Sequence, residues 1–205
     1  LTNMHANATI PEIHGCARAY EVTGDERYLT IVKNYWQQAV TKRGMFATGG
    51  QTAGEVWTPP HHQSARLNHN NQEHCVVYNM IRLADYLYRQ TGDKDYLDYI
   101  ELNLINGLFA QAFWKDTYET LSNAITHDEG IVTYYLPLEA GSHKNWGSRT
   151  EDFWCCHCTA VQGPSRYREW LWYRGEDRSL TLAQFLPSRL SVAEGDKTLR
   201  LTLSV

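Results

Sequence analysis

The sequence predicts a mainly α-helical fold built from αα-hairpins, followed by the start of a β-sandwich domain. Residues 20–29 recur 68 positions downstream as residues 88–97, with the same Thr-Gly-Asp core and matching tyrosine and leucine residues on both sides. After Gly175 the apolar period changes from helical spacing to the alternation that is typical of strands. A repeated hairpin favours a toroid or solenoid of helices over a compact bundle, although Thr-Gly-Asp alone is also a common helix linker.

Each copy of the repeat predicts one helical hairpin. An amphipathic helix runs up to a glycine, which readily adopts the left-handed conformation after a helix end, and an aspartate then caps the next helix. The first copy predicts helices near 9–22 and 25–41. The second copy predicts helices near 73–90 and 93–113.

Two long irregular segments separate the predicted helices. Residues 44–71 are rich in Gly, Pro, His and Asn, and residues 126–163 are irregular apart from a β-like run at 131–138. Long loops inside a compact domain are usually functional, so we expect the two segments to meet at one end of the helices. A last helix is predicted at 164–173, with Pro164 in its first turn.

The C-terminal part of the chain predicts short strands. Three stretches alternate apolar and polar residues: 179–185, 189–192 and 198–205. We therefore place a domain boundary near residue 176, with residues 1–176 in the helical domain and residues 177–205 at the start of a truncated β-sandwich. Because the alternation continues to the last residue and the chain opens on leucine, we expect an internal piece of a longer protein.

The composition indicates a globular protein and argues against several function classes. The chain has 205 residues, of which 42% are hydrophobic and 20% charged, with a formal net charge of −4. It contains neither an apolar run near the roughly 20 residues of a membrane span nor a Lys/Arg block for nucleic acid, so neither partner is expected. With no visible signal peptide, the expected location is cytoplasmic. Seven Trp and 13 Tyr suit a sugar-stacking cleft and a packed helical core equally well, and the oligomeric state is not indicated.

The strongest chemical signal is the cysteine cluster Cys155-Cys156-His157-Cys158. Soft thiolates and imidazole favour zinc among the common metal ions, but adjacent cysteines fit the spacing of a zinc finger badly. A vicinal disulfide is the alternative, and it would be strained and would need an oxidising compartment. The cluster therefore favours a metal site over a disulfide.

A second cluster, Glu73-His74-Cys75, opens the second hairpin. Glu73 and Cys75 could both reach an ion from the first turn of a helix, and Cys155 and Cys156 would complete a Cys3Glu site. Such a set carries more negative charge than Zn²⁺ neutralises, so at least one thiolate should stay nucleophilic. Without Cys75, Glu73 would be explained as an acidic residue favoured by the helix dipole.

Four motifs, in the same order, resemble the bacterial β-L-arabinofuranosidases of glycoside hydrolase family 127 and its sister family 146. The motifs are the His-Ala-Asn segment at 5–11, the Gly-Gly…Gly-Glu loop at 48–55, Glu73-x-Cys75 with the following Tyr78-Asn79-Met80, and Phe153-Trp154-Cys155-Cys156. The resemblance extends from about residue 4 to 190. It implies an (α/α)6 barrel, a six-hairpin glycosidase fold of which the chain holds about half, followed by β-sandwich domains.

The resemblance also implies a reaction. The family's zinc-dependent, retaining enzymes use a cysteine nucleophile, so a carbohydrate substrate is expected, from which terminal β-L-arabinofuranose or a related sugar of plant-derived glycans is released. By position, Cys155 matches the nucleophile, and Glu73, Cys75 and Cys156 match the other zinc ligands. Glu55 matches the general acid/base. Whether the chain is active by itself stays open.

Two histidines are expected to bind substrate. His5 matches the family's sugar-contacting histidine, and His143 precedes the cysteine cluster and could reach the cleft. His74 lies between two ligands, and we expect its side chain to point away from the ion. His157 and Cys158 stand where the family has smaller residues, and Gln162 stands where some members have a glutamate. The extra thiol of Cys158 and the missing acid at Gln162 leave the sugar specificity open.

Two further hypotheses belong to other function classes. A lyase or an epimerase on the same barrel would use His/Tyr or His/Glu acid–base chemistry and has no need of three thiols. A non-catalytic, zinc-stabilised carbohydrate-binding domain would use Cys155 only as a ligand. Replacing Cys155 by serine separates these hypotheses, because it should abolish turnover only if the thiol attacks.

Overall fold

The structure, a computed structural model, describes residues 1–114, 130–147 and 151–204. Within these ranges it is rich in helices and has four small two-stranded antiparallel sheets. The chain forms two compact units, Leu1–Gly163 and Pro164–Val205. None of the described helices is both long enough and apolar enough to cross a membrane.

The first four helices of the first unit form two hairpins. Their helices are α1 (Ala6–Thr23), α2 (Glu26–Trp36), α3 (His74–Thr91) and α4 (Asp95–Asn103). The two helices of each hairpin pack on each other, and α1 packs on α3. The hairpins are therefore neighbours, as the repeat predicts.

The two hairpin linkers have the same local structure. Gly24 and Gly92 are left-handed, at φ 68° and 70°, a conformation that a residue without Cβ adopts at little cost. In each linker the hydroxyl of the preceding threonine accepts a hydrogen bond of 3.2 Å from the N–H of the following aspartate. The repeated Thr-Gly-Asp sequence thus turns the chain twice in the same way.

The core lies around α3, whose residues are buried along most of its length. The apolar residues of α3 that are at most 1% exposed are Cys75, Val76, Val77, Tyr78, Met80, Ile81, Leu83, Ala84 and Leu87. Burial of a large apolar side chain stabilises the fold by about 1.5–3 kcal/mol. The first turn of α3 is consequently held in place by the core behind it.

The predicted end of the fourth helix is wrong. After α4 the chain continues as a π-helical turn, Leu104–Leu108, and a 3₁₀ turn, Phe109–Gln111. Strand β3 (Ala112–Trp114) follows where the helix was predicted to run to 113, and it pairs with β4 (Gly130–Val132). A strand partner distant in sequence thus replaces the last predicted turn of helix.

The helix predicted at 164–173 is also wrong. Helix α5 instead spans Cys155–Arg166 with Pro164 inside it, and a 3₁₀ turn and strand β5 (Trp172–Arg174) follow. The helix begins at the cysteine pair because His157 Nδ1 accepts a hydrogen bond of 3.1 Å from the N–H of Trp154. This is the backward contact from the third helical position to the N-cap that stabilises a helix start.

The irregular segment 44–71 contains a small hairpin with Glu55 in its turn. Strands β1 (Thr52–Ala53) and β2 (Val56–Trp57) flank Glu55, whose carbonyl accepts a hydrogen bond of 2.8 Å from the N–H of Ala6. The segment also accepts backbone hydrogen bonds from Leu136 and Leu138. The two irregular segments therefore meet, as predicted, although residues 126–129 and 148–150 lie outside the described ranges.

The second unit contains two antiparallel hairpins. Its strands after β5 are β6 (Leu180–Leu182), β7 (Ser188–Glu194) and β8 (Lys197–Leu203). Strand β5 pairs with β6, and β7 pairs with β8 across a turn that contains the left-handed Gly195. These strands fall where the alternation predicts them, while the (α/α)6 barrel, the β-sandwich and the boundary near residue 176 stay predictions.

Candidate metal centre and active site

The four predicted metal ligands lie at the starts of two helices. Glu73 is the N-cap of α3 and Cys75 is its second residue, whereas Cys155 and Cys156 are the first two residues of α5. The free N–H groups and the positive end of the dipole at a helix start favour thiolates and carboxylates. The fold thus brings four anionic groups to positions that suit them.

The ligand atoms of these residues lie within 4.8 Å of one another and could hold a metal ion. Cys75 Sγ lies 3.4 Å from Cys156 Sγ, and Glu73 Oε1 lies 3.9 Å from Cys155 Sγ and 4.0 Å from Cys156 Sγ. Tetrahedral coordination with zinc–sulfur bonds of about 2.3 Å places ligand atoms about 3.8 Å apart. The side chains therefore converge as predicted, at separations that fit a single ion.

The burial of the cluster also fits a cation. Glu73, Cys75 and Cys156 are at most 1% exposed, whereas Cys155 is exposed. Within the described ranges the buried Glu73 Oε2 finds no hydrogen-bond partner. A buried polar atom without a partner costs about 1–3 kcal/mol, and a metal ion would supply the missing contact.

In the cluster without a metal ion, burial and the neighbouring negative charges oppose the ionisation of its acidic groups. Burial, together with the charge of Cys75, raises the pKa of Glu73 to about 8. The hydrogen bond between the two sulfurs lowers the pKa of Cys75 to about 6 and raises the pKa of Cys156. Burial raises the pKa of Cys155. Without a cation, therefore, the groups do not all ionise together.

Behind the cluster, two buried side chains support Cys75. Thr159 Oγ1 lies 3.3 Å from Cys75 Sγ and 2.9 Å from His74 Nδ1. Burial lowers the pKa of His74 to about 4, so this ring is neutral, and His74 is not among the four residues whose ligand atoms are grouped. Thr159 lies one helical turn after Cys155 and Cys156 on α5 and was not predicted from the sequence.

Glu55 and Cys155 share one contact, the hydroxyl of Tyr134. This hydroxyl donates a hydrogen bond to Glu55 Oε1 and lies 3.5 Å from Cys155 Sγ. His5 Nε2 lies 3.5 Å from Glu55 Oε2 on the other side. Glu55, Cys155 and His5 are thus brought together, whereas His143 is exposed and makes no hydrogen bond or ion pair with any described residue.

The sequence did not indicate a role for Tyr134, because that role depends on contacts that its loop makes only in the folded chain. Its carbonyl accepts hydrogen bonds from the N–H of His74, at 3.2 Å, and from Gln111 Nε2, at 3.3 Å. Its ring packs edge-on against Trp154, with centroids 5.5 Å apart. The available signal was its place within the β-like run at 131–138, in a segment already expected to be functional.

The departures from the family pattern lie next to the four ligands. The His157 ring stacks on Phe153, with centroids 5.5 Å apart, while its Nδ1 caps α5. Cys158 is exposed and is not one of the four grouped residues. Within the described ranges, His157 therefore supports the helix start.

The comparisons with known proteins agree with these observations. Residues 1–169 match the family described as beta-L-arabinofuranosidase, GH127 catalytic domain. Two similar solved structures are a GH127 beta-arabinofuranosidase (TM-score 0.74, 20% identity) and a GH127 beta-L-arabinofuranosidase from Geobacillus stearothermophilus T6 (TM-score 0.64, 18% identity). Both cover 98% of this chain, which spans only 29% and 31% of theirs, and at such identities they show likeness of fold. No curated protein matches the chain.

Proposed function

The chain belongs to the GH127 β-L-arabinofuranosidase family, and from this premise we propose that the full-length protein is a zinc-dependent retaining glycoside hydrolase. Its substrates are plant-derived glycans, from which it releases terminal β-L-arabinofuranose or a related sugar. The observation that carries the proposal is the position of Cys155. It is the exposed member of the metal-ligand cluster, and one hydroxyl joins it to Glu55.

Glu73, Cys75, Cys155 and Cys156 would hold the ion. When bound, zinc keeps thiols ionised at neutral pH and fixes their positions, so that no separate base is needed. The converging sulfur and carboxylate atoms and the unpartnered Glu73 Oε2 support this assignment. Cys155 presents its sulfur to the solvent side, where a sugar can approach.

The reaction proceeds in two displacements at the anomeric carbon. In the first, Cys155 Sγ forms a bond to this carbon while the bond to the leaving oxygen breaks, and Glu55 gives that oxygen its proton. In the second, Glu55 takes a proton from water, the water oxygen attacks the same carbon, and the carbon–sulfur bond breaks with its electron pair returning to sulfur. Two inversions retain the anomeric configuration.

The separation of the two reacting groups supports retention. Retaining enzymes place their two catalytic groups about 5–5.5 Å apart, whereas inverting enzymes leave a wider gap for water. Glu55 Oε1 and Cys155 Sγ contact the same hydroxyl, so their distance is at most two contact lengths. His5, beside Glu55, and His143 are proposed to bind sugar hydroxyls.

The test is the activity of the full-length protein on 4-nitrophenyl β-L-arabinofuranoside. We expect Cys155→Ser to abolish turnover, and Cys16→Ser, on α1 away from the cluster, to leave it unchanged. Nuclear magnetic resonance of the first product should show the β-anomer, and metal analysis should show one zinc per chain. An α-anomer, or sugar binding without turnover, would overturn the proposal.

A further inference from the structure

We propose that Tyr134 is a further catalytic residue, whose hydroxyl donates its hydrogen bond to whichever of Cys155 and Glu55 carries the negative charge at each stage of the reaction. This inference rests on the function proposed above. It concerns the two reacting groups, which the Tyr134 hydroxyl joins.

The geometry places one phenol between the nucleophile and the acid. The Tyr134 hydroxyl donates to Glu55 Oε1 and lies 3.5 Å from Cys155 Sγ, a distance at which either atom can be the donor. Hydrogen bonds to ionised sulfur or carboxylate are about twice as strong as bonds between neutral groups. A single donor between two groups that exchange charge is therefore in a position to affect both steps.

The charge moves from sulfur to carboxylate and back during the proposed cycle. Before the first step Cys155 is a thiolate and Glu55 is protonated, so the phenol donates to sulfur and the carboxyl proton of Glu55 is left for the leaving oxygen. After it, the sulfur is an uncharged thioether and Glu55 is ionised, so the phenol donates to Glu55. The second step reverses this change as the electron pair returns to sulfur and Glu55 takes a proton from water.

A phenol suits this role because it keeps its proton. The ordinary pKa of tyrosine is about 10, far above that of the carboxyl group it faces, so at neutral pH the phenol reorients its O–H bond without losing it. A donor held in place between the two groups lowers the barrier because only its O–H bond has to turn as the charge moves.

The surroundings of Tyr134 hold the ring in place without the hydroxyl. Its carbonyl is fixed by the N–H of His74 and by Gln111 Nε2, and its ring packs against Trp154 and Tyr135. Phenylalanine at this position should therefore keep the backbone and ring contacts and remove only the donor. Leucine would remove the ring contacts as well.

The experiment compares Tyr134→Phe with Tyr134→Leu and with the matched control Tyr86→Phe in the full-length, zinc-loaded protein. Tyr86 donates its hydroxyl to the carbonyl of Ala17 between α3 and α1, away from the cluster. We expect Tyr134→Phe to lower kcat by about 100-fold on 4-nitrophenyl β-L-arabinofuranoside, with little change in KM or zinc content. Tyr86→Phe should keep the kcat of the wild-type protein.

Each other outcome has a definite meaning. If Tyr134→Phe turns over like the wild-type protein while Cys155→Ser is inactive, the Tyr134 role is refuted and the proposed function stands. If Tyr134→Phe loses its zinc together with its activity, Tyr134 acts through structure and the inference is overturned. The inference is also overturned if kcat falls as far in Tyr86→Phe as in Tyr134→Phe. If the wild-type protein is inactive on glycosides, both proposals fall.

Discussion

At the scale of single residues, Glu73 and Cys75 give the metal-free protein a pH-dependent stability of defined sign. Folding raises the pKa of Glu73 from 4.5 to about 8, so between these values the folded protein holds a proton that the unfolded chain has lost. The free energy of unfolding therefore falls as the pH rises. Folding lowers the pKa of Cys75 from 9.0 to about 6, which has the opposite effect above pH 6.

Between about pH 4.5 and 6 the effect of Cys75 is absent, and the opposite effect of His74, whose pKa folding lowers to about 4, is common to the wild-type protein and a Glu73 variant. In this window we expect the metal-free wild-type protein to lose stability relative to Glu73→Gln as the pH rises, because glutamine has no proton to lose. Urea midpoints of the two proteins across the window measure this difference. Glu12→Gln, at an exposed position on α1, is the control. The prediction would be contradicted if the urea midpoints of the wild-type protein and of Glu73→Gln changed with pH in parallel.

Thr159 is expected to strengthen metal binding through Cys75. Its hydroxyl contacts Cys75 Sγ and His74 Nδ1, so Thr159→Val removes one partner of the sulfur and leaves a buried imidazole nitrogen without its own. Loss of such a supporting contact lowers metal affinity by about 10–100-fold. Competition with a chromophoric chelator measures the affinity. Thr159→Ser, which keeps the hydroxyl, should bind zinc like the wild-type protein, and equal affinity in the valine variant would rule out this role.

Glu55 should act in both steps, but the first step depends on how well the leaving group departs. An activated aryl glycoside needs little protonation, so Glu55→Gln should keep most of the first step and lose the second. A covalent sugar on Cys155 should then accumulate, and intact-protein mass spectrometry of the full-length variant detects it. Turnover of natural and activated substrates at the wild-type rate would make Glu55 a bystander.

At the scale of elements, the Gly-Gly segment before β1 positions the hairpin that carries Glu55. Gly50 is left-handed at φ 65°, its N–H donates to Asn103 Oδ1 at 3.0 Å, and an added Cβ would overlap the side chain of Gln72. Gly50→Ala therefore combines backbone strain with a clash and should destabilise the protein by about 1–3 kcal/mol. Chemical denaturation tests this value.

Gly15 provides a matched glycine with the opposite expectation. It lies inside α1, and a Cβ there meets nothing within 4 Å, so Gly15→Ala should stabilise the protein by roughly 0.5–1 kcal/mol. If both alanine variants shifted the denaturation midpoint in the same direction, the conformation assigned to Gly50 would be wrong.

Elements fixed by local contacts were predictable, and elements fixed by distant ones were not. The ends of α1 and α3 follow from Thr-Gly-Asp, since the capping groups lie within three residues of each other. The strand after α4 depends on a partner strand far along the chain. The start of α5 depends on a histidine that reaches back to cap it, while Pro164 misleadingly suggested a first turn.

The same distinction holds for the site. The four candidate metal ligands were predictable because closely spaced cysteines, with a carboxylate nearby, are typical of functional sites. They are Glu73, Cys75, Cys155 and Cys156. Tyr134 was not, because tyrosine is common in this chain and only the folded loops bring its hydroxyl between Glu55 and Cys155.

At the scale of the whole molecule, the candidate metal centre joins helix starts that are distant in sequence. Cys75 and Cys156 lie 81 positions apart and belong to different helices, α3 and α5. The unfolded chain has no preformed site, so the free energy of binding an ion there would contribute directly to folding. Without the ion, the contacts between these two helix starts include the thiol contact of Cys75 with Cys156 and the contacts of the Thr159 hydroxyl with His74 and Cys75.

Metal removal should therefore lower the melting temperature of the protein. Free zinc at 100 times its Kd stabilises a folded protein by about 2.7 kcal/mol, and excess chelator should remove this contribution. Calorimetry with and without chelator measures the shift. Cys156→Ser should melt at the same temperature in both conditions, because a buried ligand is gone. Cys158→Ser should remain sensitive, since Cys158 is exposed and outside the cluster. A wild-type melting temperature that chelator leaves unchanged would show that these four side chains do not hold an ion that stabilises the fold.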